Sequence, residues 1–451
     1  MTRTAERAPV IVVGGGWAGL AAAVELSRQG VPVTVLESAR QLGGRARCVP
    51  FGSYRVDNGQ HVMIGAYHAM LELLELLGVA EKAVFLRRPL ELAMHTPGGR
   101  GVRVKAPPLP APLHMLAALL GSRGLSPLDR LRALHFGTRA TSAGPAPHPD
   151  ISVQALLEQN RQSPRLVANL WEPLCLAALN TPIADASATL FLRVLRDAFT
   201  GTRHNTDLLI PRTDLGTALP QPALDFIEAH HGKVRLGQPV RDLRIGADGV
   251  TGVDLANERL SARHVILAVN PVMCRRLLAP HEDLREVTDN LAALHSEPIC
   301  TVYLQYPGDV RLTRPMAGLV GTTTQWVFDR AVCGQPGLMA AVISGSGPHM
   351  QLDNTRLVER VAQELSIMNP HWPAATNTLV LREKRATFAS RVGVEALRPS
   401  PRTGTPGLWL AGDFTATGLP ATLEGAVRSG LECAHAILET TSHTASGLAF
   451  C

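Results

Sequence analysis

The chain has 451 residues, 45% hydrophobic and 18% charged, with a formal net charge of +6. That length exceeds one simple core and suggests two or three domains. The modest positive balance, without a basic block interleaved with aromatics, argues against nucleic acid as a partner.

Seven cysteines are present, an odd number with no C-x-x-C pair, which reads as reduced thiols in a cytoplasmic protein. Cysteine and histidine spacing supports no metal site. Arg3 and Arg7 precede an apolar run that could pass for a signal peptide. That run reads better as a first strand. No apolar stretch reaches membrane-spanning length.

Val10-Ile11-Val12-Val13 has strand length and β-branched composition, and it leads into Gly14-Gly15-Gly16-Trp17-Ala18-Gly19, a G-x-G-x-x-G. Residues 20–27 read as a helix stopped near Gly30, and residues 31–36 as a second strand ending at Glu37. This is a βαβ unit with a dinucleotide fingerprint. Gly14 permits the tight turn, Gly16 admits a pyrophosphate beside the backbone, and Gly19 lets helix and strand pack closely. Trp17 and Ala18 open the helix whose N-terminus faces the phosphates. Glu37 lies eighteen residues after Gly19, close to the spacing of a ribose-binding carboxylate, and it disfavours a 2′-phosphate. FAD and NAD both remain open at this point.

Leu42-Gly43-Gly44-Arg45-Ala46 then resembles the L-G-G-R-[AS] motif of the flavin amine oxidase and carotenoid desaturase superfamily. The resemblance implies FAD, with Gly43 and Gly44 passing its diphosphate and Arg45 supporting it. Asp57-Asn58-Gly59-Gln60-His61 is similar to a D-x-G-x-H segment of that superfamily that passes near the flavin, and His61 reads equally as a hydrogen-bonded core histidine. Residues 69–77 read as an apolar helix with Glu72 and Glu75 on its polar side.

Residues 107–139 change texture: prolines, an apolar helix, then Arg123, Arg130, Arg132 and Arg139 spaced among leucines. A membrane-interface helix pair and an ordinary buried pair fit this pattern equally. Residues 140–150 read as a loop. Residues 152–196 are helical in pattern, broken at Pro164, Pro173 and Pro182. Glu172 and Asn180 stand out in that apolar region. Glu172 is a candidate acid with a raised pKa, or a partner for Arg193 or Arg196.

Residues 232–240 look like a strand returning to the nucleotide domain, and the resemblance places Val240 against the adenine. Residues 264–271 resemble the superfamily's "VILAxxP". Between residues 298 and 388 alternating segments at 301–306, 325–328, 340–344 and 378–381 suggest an antiparallel sheet. The charged run Arg382-Glu383-Lys384-Arg385 follows the last of them, and Glu383 is a second candidate acid. Leu410-Ala411-Gly412-Asp413 ends a buried strand, and Thr422-Leu423 opens a helix. The resemblance assigns Gly412 and Asp413 to the ribityl and diphosphate region. It sets Thr422 and Leu423 at the helix end that faces the flavin.

The expected fold class is therefore α/β, a Rossmann-type FAD-binding domain with an inserted α+β substrate domain, as in amine oxidases and phytoene desaturases. Residues 1–100, 210–290 and 401–451 are expected in the FAD-binding domain. Residues 101–209 form the helical part, and 291–400 the sheet part, of the substrate domain.

Longer stretches resemble the hydroxysqualene dehydroxylases, FAD-dependent enzymes of hopanoid synthesis: DNGQHVMIGAY, LWEPLCLAALNTP, QWVFDR, LREKRATFA and LPATLEGAVRSG. The resemblance implies reductive dehydroxylation of hydroxysqualene to squalene, with hydride from flavin N5; the pattern of residues 107–139 adds a membrane surface as an expected partner of a cytoplasmic protein. A carotenoid-type desaturase is the alternative. An amine oxidase fits less well, since aromatics are only 4% and an amine cage needs them. With one G-x-G-x-x-G, no separate NADPH domain is expected, and the electron donor is not named by the sequence.

Overall fold

The computed structural model describes residues 9–99, 101–142 and 147–447. Residues 143–146 of the expected loop and the last four residues of the chain lie outside the described residues.

A five-stranded parallel sheet forms one half of the molecule. Its order is Lys233–Arg235, Val33–Leu36, Val10–Val13, His264–Leu267, Leu408–Leu410. Three distant stretches of chain therefore build one sheet. The central strands are buried on both faces, which their β-branched composition suits. Helix Trp17–Arg28 crosses between the first two strands, and its alanines allow a close approach. Helix Leu423–Gly447 packs against it so tightly that a Cβ on Gly430 would overlap the carbonyl of Ala18.

The second half is a seven-stranded sheet in the order Asn377–Phe388, Ser296–Gln305, Leu338–Ser344, Trp326–Asp329, Met316–Leu319, Glu91–His95, Val102–Lys105. It is antiparallel except where Met316–Leu319 runs parallel to Glu91–His95. The hairpin of Glu91–His95 and Val102–Lys105 thus joins this sheet, although most of it precedes residue 101.

Helices Leu113–Leu120, Pro127–Thr141, Val153–Gln159, Glu172–Leu179 and Ala188–Phe199 pack on one another, and the first of them on strand Val102–Lys105. Pro173 does not break the helical run as its type suggested. A π-helical turn, Val167–Trp171, leads into Glu172–Leu179, where the proline occupies the first turn and loses no hydrogen bond. Among the described residues, no helix is long and apolar enough to cross a membrane.

The charged run 382–385 also differs from expectation. It lies inside strand Asn377–Phe388 and not after it. Opposite it sits Pro298, which has no N–H for the ladder. The register jumps there: Ile299 faces Glu383, while Glu297 faces Thr387. Lys384, Arg385 and Ala386 therefore bulge out of the pairing.

Candidate active site

One cavity of about 1090 Å³ runs between the two sheets. It is slightly larger than ordinary ligand pockets, roughly 300–1,000 Å³. Its two ends have different chemistry.

At the first end the wall is mostly loop backbone. Gly14, Gly16, Trp17 and Ala18 line it, as do Glu37, Gly43, Gly44 and Arg45. Gly14 has φ +113°, and a Cβ there would strike the carbonyl of Ala268. Gly16 differs: a Cβ on it would meet nothing closer than Gly44 Cα at 3.9 Å, so the space beside it is open cavity. Gly19 does not line the cavity. Its Cβ would overlap the Gly14 carbonyl, so its smallness serves helix–strand packing. The helix after Gly16 has no side-chain cap, which leaves its N-terminal N–H groups available to an anion.

Glu37 is 9% exposed, and it accepts from Gly15 N and from Ala39 N, each at 2.7 Å. It therefore tightens the glycine loop as well as edging the cavity. Gln238, Pro239 and Val240 line the wall beside it.

Gly412, Asp413, Thr422 and Leu423 close this end from the last third of the chain. Arg45 joins the motifs: Nη2 donates to Asp413 Oδ1 and Nη1 to the carbonyl of Ala386, both at 2.6 Å. Burial opposes the charge on Arg45, and the Asp413 carboxylate outweighs it, so the arginine pKa is raised. Tyr67 also lines this region, its phenol pushed up by burial. No sequence signal singled it out.

The second end is apolar. Leu90, Leu92 and Val104 of the edge hairpin, Met316, Trp326 and Phe328 of the sheet, and helix residues such as Met115, Leu119, Phe191 and Leu195 form its walls.

At the junction stand Asn58, Gln60, His61, Glu383 and Thr387. Glu383 is the last paired residue before the bulge, and its Oε2 accepts from Asn58 Nδ2 at 2.9 Å, with Arg47 Nη1 at 3.9 Å. His61 is desolvated, which lowers its pKa, and its Nδ1 has no hydrogen-bond partner among the described residues. Asn180 is a C-cap in the left-handed region (φ 48°) that braces the bulge. Its Nδ2 donates to the Pro298 carbonyl and to Thr387 Oγ1 at 3.0 Å, and its Oδ1 accepts from Gly345 N.

Glu172 lies elsewhere. Its neighbours Trp171 and Leu174 line the cavity, and Glu172 does not. Its carboxyl is half-buried, and desolvation raises its pKa. Arg193 does not pair with it but holds Asp197 at 2.8 Å.

A glycine-lined anion cradle on a parallel sheet, opening into an apolar chamber, defines an FAD-dependent oxidoreductase. The chain belongs to the flavin-containing amine oxidoreductase family, whose model matches residues 17–438. It is similar to hydroxysqualene dehydroxylases from Rhodopseudomonas palustris and Sinorhizobium fredii. These are 30% and 28% identical over 442 and 449 residues, which is 95% and 96% of this chain and 98% and 99% of theirs. A zeta-carotene desaturase from Arabidopsis thaliana is 24% identical over 95% of this chain and 85% of its own. Among solved structures, an oxidoreductase from Methanosarcina mazei superposes with TM-score 0.76 at 15% identity, over 94% of this chain and 99% of that one. Cyclohexylamine oxidase from Brevibacterium oxydans gives 0.69 at 19% identity, over 97% and 100%. FAD is the cofactor, and the open space at Gly16 beside an uncapped helix end fits its diphosphate.

Proposed function

We propose that this protein removes the hydroxyl of hydroxysqualene reductively and forms squalene. One observation carries the reading: a single cavity joins the flavin cradle to a chamber walled by aliphatic and aromatic side chains, with an acid where they meet that holds neither the glycine loop nor Arg45. Of the three acids lining the cavity among the described residues, Glu37 holds the glycine loop and Asp413 holds Arg45. Glu383 is left for chemistry. The reaction exchanges a C–O bond for a C–H bond. A proton leaves with the hydroxyl as water, and a hydride arrives at carbon. Reduced FAD supplies that hydride. Glu383 protonates the departing hydroxyl, and its carboxylate then faces the allylic cation. The apolar walls exclude water that would trap the cation. Glu172 is the second candidate acid, set one residue outside the wall.

The nucleotide motifs divide into contact and support. Gly14, Gly16, Trp17, Ala18, Gly43 and Gly44 take the diphosphate with Arg45. Glu37 and Val240 take the ribose and adenine, and Gly412, Asp413, Thr422 and Leu423 take the ribityl and flavin side.

The protein works against a membrane surface. Helix Pro127–Thr141 exposes Leu128 and Leu131, each 56% exposed, and helix Leu113–Leu120 exposes Leu113 and Leu120 at 51% and 46%. Exposed Arg123 and Arg139 flank them, a combination suited to an anionic bilayer. The inner faces of the same two helices line the apolar chamber through Met115, Leu116, Leu134 and Gly137.

The experiment is direct. Photoreduced protein incubated with hydroxysqualene without oxygen should yield squalene as the flavin reoxidises. Glu383→Gln should slow that step by about 10²–10⁴, the usual contribution of a general acid. Flavin that stays reduced with no squalene formed would refute the reading. A slow Glu172→Gln beside a normal Glu383→Gln would move the acid to Glu172.

A further inference from the structure

The geometry points to Asn58 as the positioning residue that aims Glu383 into the cavity. What Glu383 does there rests on the dehydroxylation reading; the hydrogen bond between the two side chains does not.

Asn58 is 8% exposed and held at three points. Its backbone N–H donates to the Arg47 carbonyl at 2.8 Å, its Oδ1 accepts from Arg47 Nη2 at 3.4 Å, and its Nδ2 donates to Glu383 Oε2 at 2.9 Å. Among the described residues, the other carboxylate oxygen of Glu383 accepts only from the backbone N–H of Arg385, at the long distance of 3.5 Å. A glutamate side chain has three free torsions, so a single short contact decides where its carboxyl points.

The segment bearing Asn58 is itself clamped from behind. Asp57 is fully buried, and its carboxylate accepts from Leu215 N at 2.7 Å with Arg330 Nη1 at 3.6 Å. The Asp57 carbonyl accepts from the Tyr303 hydroxyl at 2.9 Å. Two residues past Asn58, Gln60 Oε1 accepts from the same Arg330 Nη1 at 2.5 Å. One guanidinium, 1% exposed, thus grips the chain on both sides of Asn58. Arg330 is further fixed by Gln335 Oε1 at 2.6 Å and lies 5.8 Å over the Tyr303 ring. A buried cation of this kind is costly for stability alone, and rigidity of the cavity wall gives it a use.

The test is a double-mutant cycle on the FAD-loaded protein: Asn58→Ala, Glu383→Gln and both together. With reduced enzyme and hydroxysqualene, Asn58→Ala should lower the single-turnover rate by about 10–100-fold, the scale of a small misplacement of a reacting group. Its KM for the lipid should hold. In the Glu383→Gln background the same change should cost nothing further, because its effect runs through Glu383. Asn58→Asp, which keeps size but faces the carboxylate with an acceptor, should be at least as slow as Asn58→Ala. Rate losses that multiply independently would overturn the proposal. Melting temperatures of wild type, Asn58→Ala, Glu383→Ala and the double variant form a second cycle that needs no substrate, and coupled shifts are expected, since Glu383→Ala removes the acceptor that Glu383→Gln would keep. Should wild-type enzyme leave hydroxysqualene untouched, the functional reading falls, and additive melting shifts would separately remove the Asn58–Glu383 contact.

Discussion

The two ends of the cavity are built in opposite ways. The flavin end comes from a few contiguous motifs, 14–19, 43–45 and 412–413, in which glycines and one arginine do specific geometric tasks. The apolar end comes from single leucines, methionines and aromatics on many elements, none distinctive where it stands in the chain. A phosphate demands backbone N–H groups within hydrogen-bond reach, so its site leaves a local pattern. An isoprenoid demands only apolar area and volume, which any core residue can provide. The first end is therefore sensitive to single atoms, and the second to total shape.

The largest effect that can break this contrast is at the glycines. Gly16 and Gly19 belong to one motif and serve different ends. Gly16→Val should fold and bind no FAD, since its side chain enters open cavity where the diphosphate belongs. Gly19→Val should fail to fold well, since its Cβ would overlap the Gly14 carbonyl. Absorbance of released flavin and thermal melting read the two separately. Full FAD content in Gly16→Val would show that the cradle lies elsewhere.

A smaller effect concerns the outer face of the apolar end. Leu128→Glu with Leu131→Glu removes exposed apolar area without touching the cavity lining. Burying each leucine in a bilayer is worth about 1 kcal/mol for the half that is exposed, so losing the pair, about 2 kcal/mol, should weaken vesicle binding about thirtyfold. Sedimentation with anionic vesicles measures this. Unchanged binding would remove the membrane surface from the reading while leaving the reaction intact. Arg130 and Arg132 are poorer probes: Arg130 Nη1 caps Leu120 O at 3.0 Å, and Arg132 sits 3.8 Å from Asp129.

The sequence already carried most of the flavin end, because each motif encloses its own geometry. Val10–Val13, the glycine turn and Glu37 fall where the spacing put them. What it could not carry were contacts across the chain. Asn58 meets Glu383 from 325 positions away, and Arg330 reaches Gln60 from 270. The segment around Asn58 resembles one that passes near the flavin, but Asn58 holds its variable position, and nothing local pairs it with Glu383. Glu383 is a candidate acid because its charged run sits where the chain turns back to the cofactor domain; the register jump at Pro298, just past its pairing with Ile299, is not visible in the run itself. Glu172 attracted notice because its local sequence is apolar, yet that apolarity belongs to its neighbours' side of the helix. Local composition reports burial, and it does not report which side of a wall a side chain takes.

The smallest expected effect lies at the junction, and it tests whether His61 is held neutral there. Desolvation is the largest influence on this ring and lowers its pKa below 6.5, Asp57 works the other way, and Arg45 adds to the lowering. The unfolded chain therefore binds a proton at His61 more readily than the folded one. Stability rises with pH through the window below 6.5, is fully present above it, and falls as the solution is acidified. One such group contributes a slope of no more than about 1.4 kcal/mol per pH unit. His61→Gln keeps a hydrogen-bonding side chain and removes the titration. Denaturant melts of the two proteins between pH 5 and 7, a range set by the unperturbed histidine pKa of about 6.5, should show the variant losing less stability on acidification, its slope the shallower. Parallel slopes would mean that His61 is free to charge in the folded protein. The junction would then be wet, and the boundary between the two ends of the cavity would have to lie deeper, toward Trp326 and Phe328.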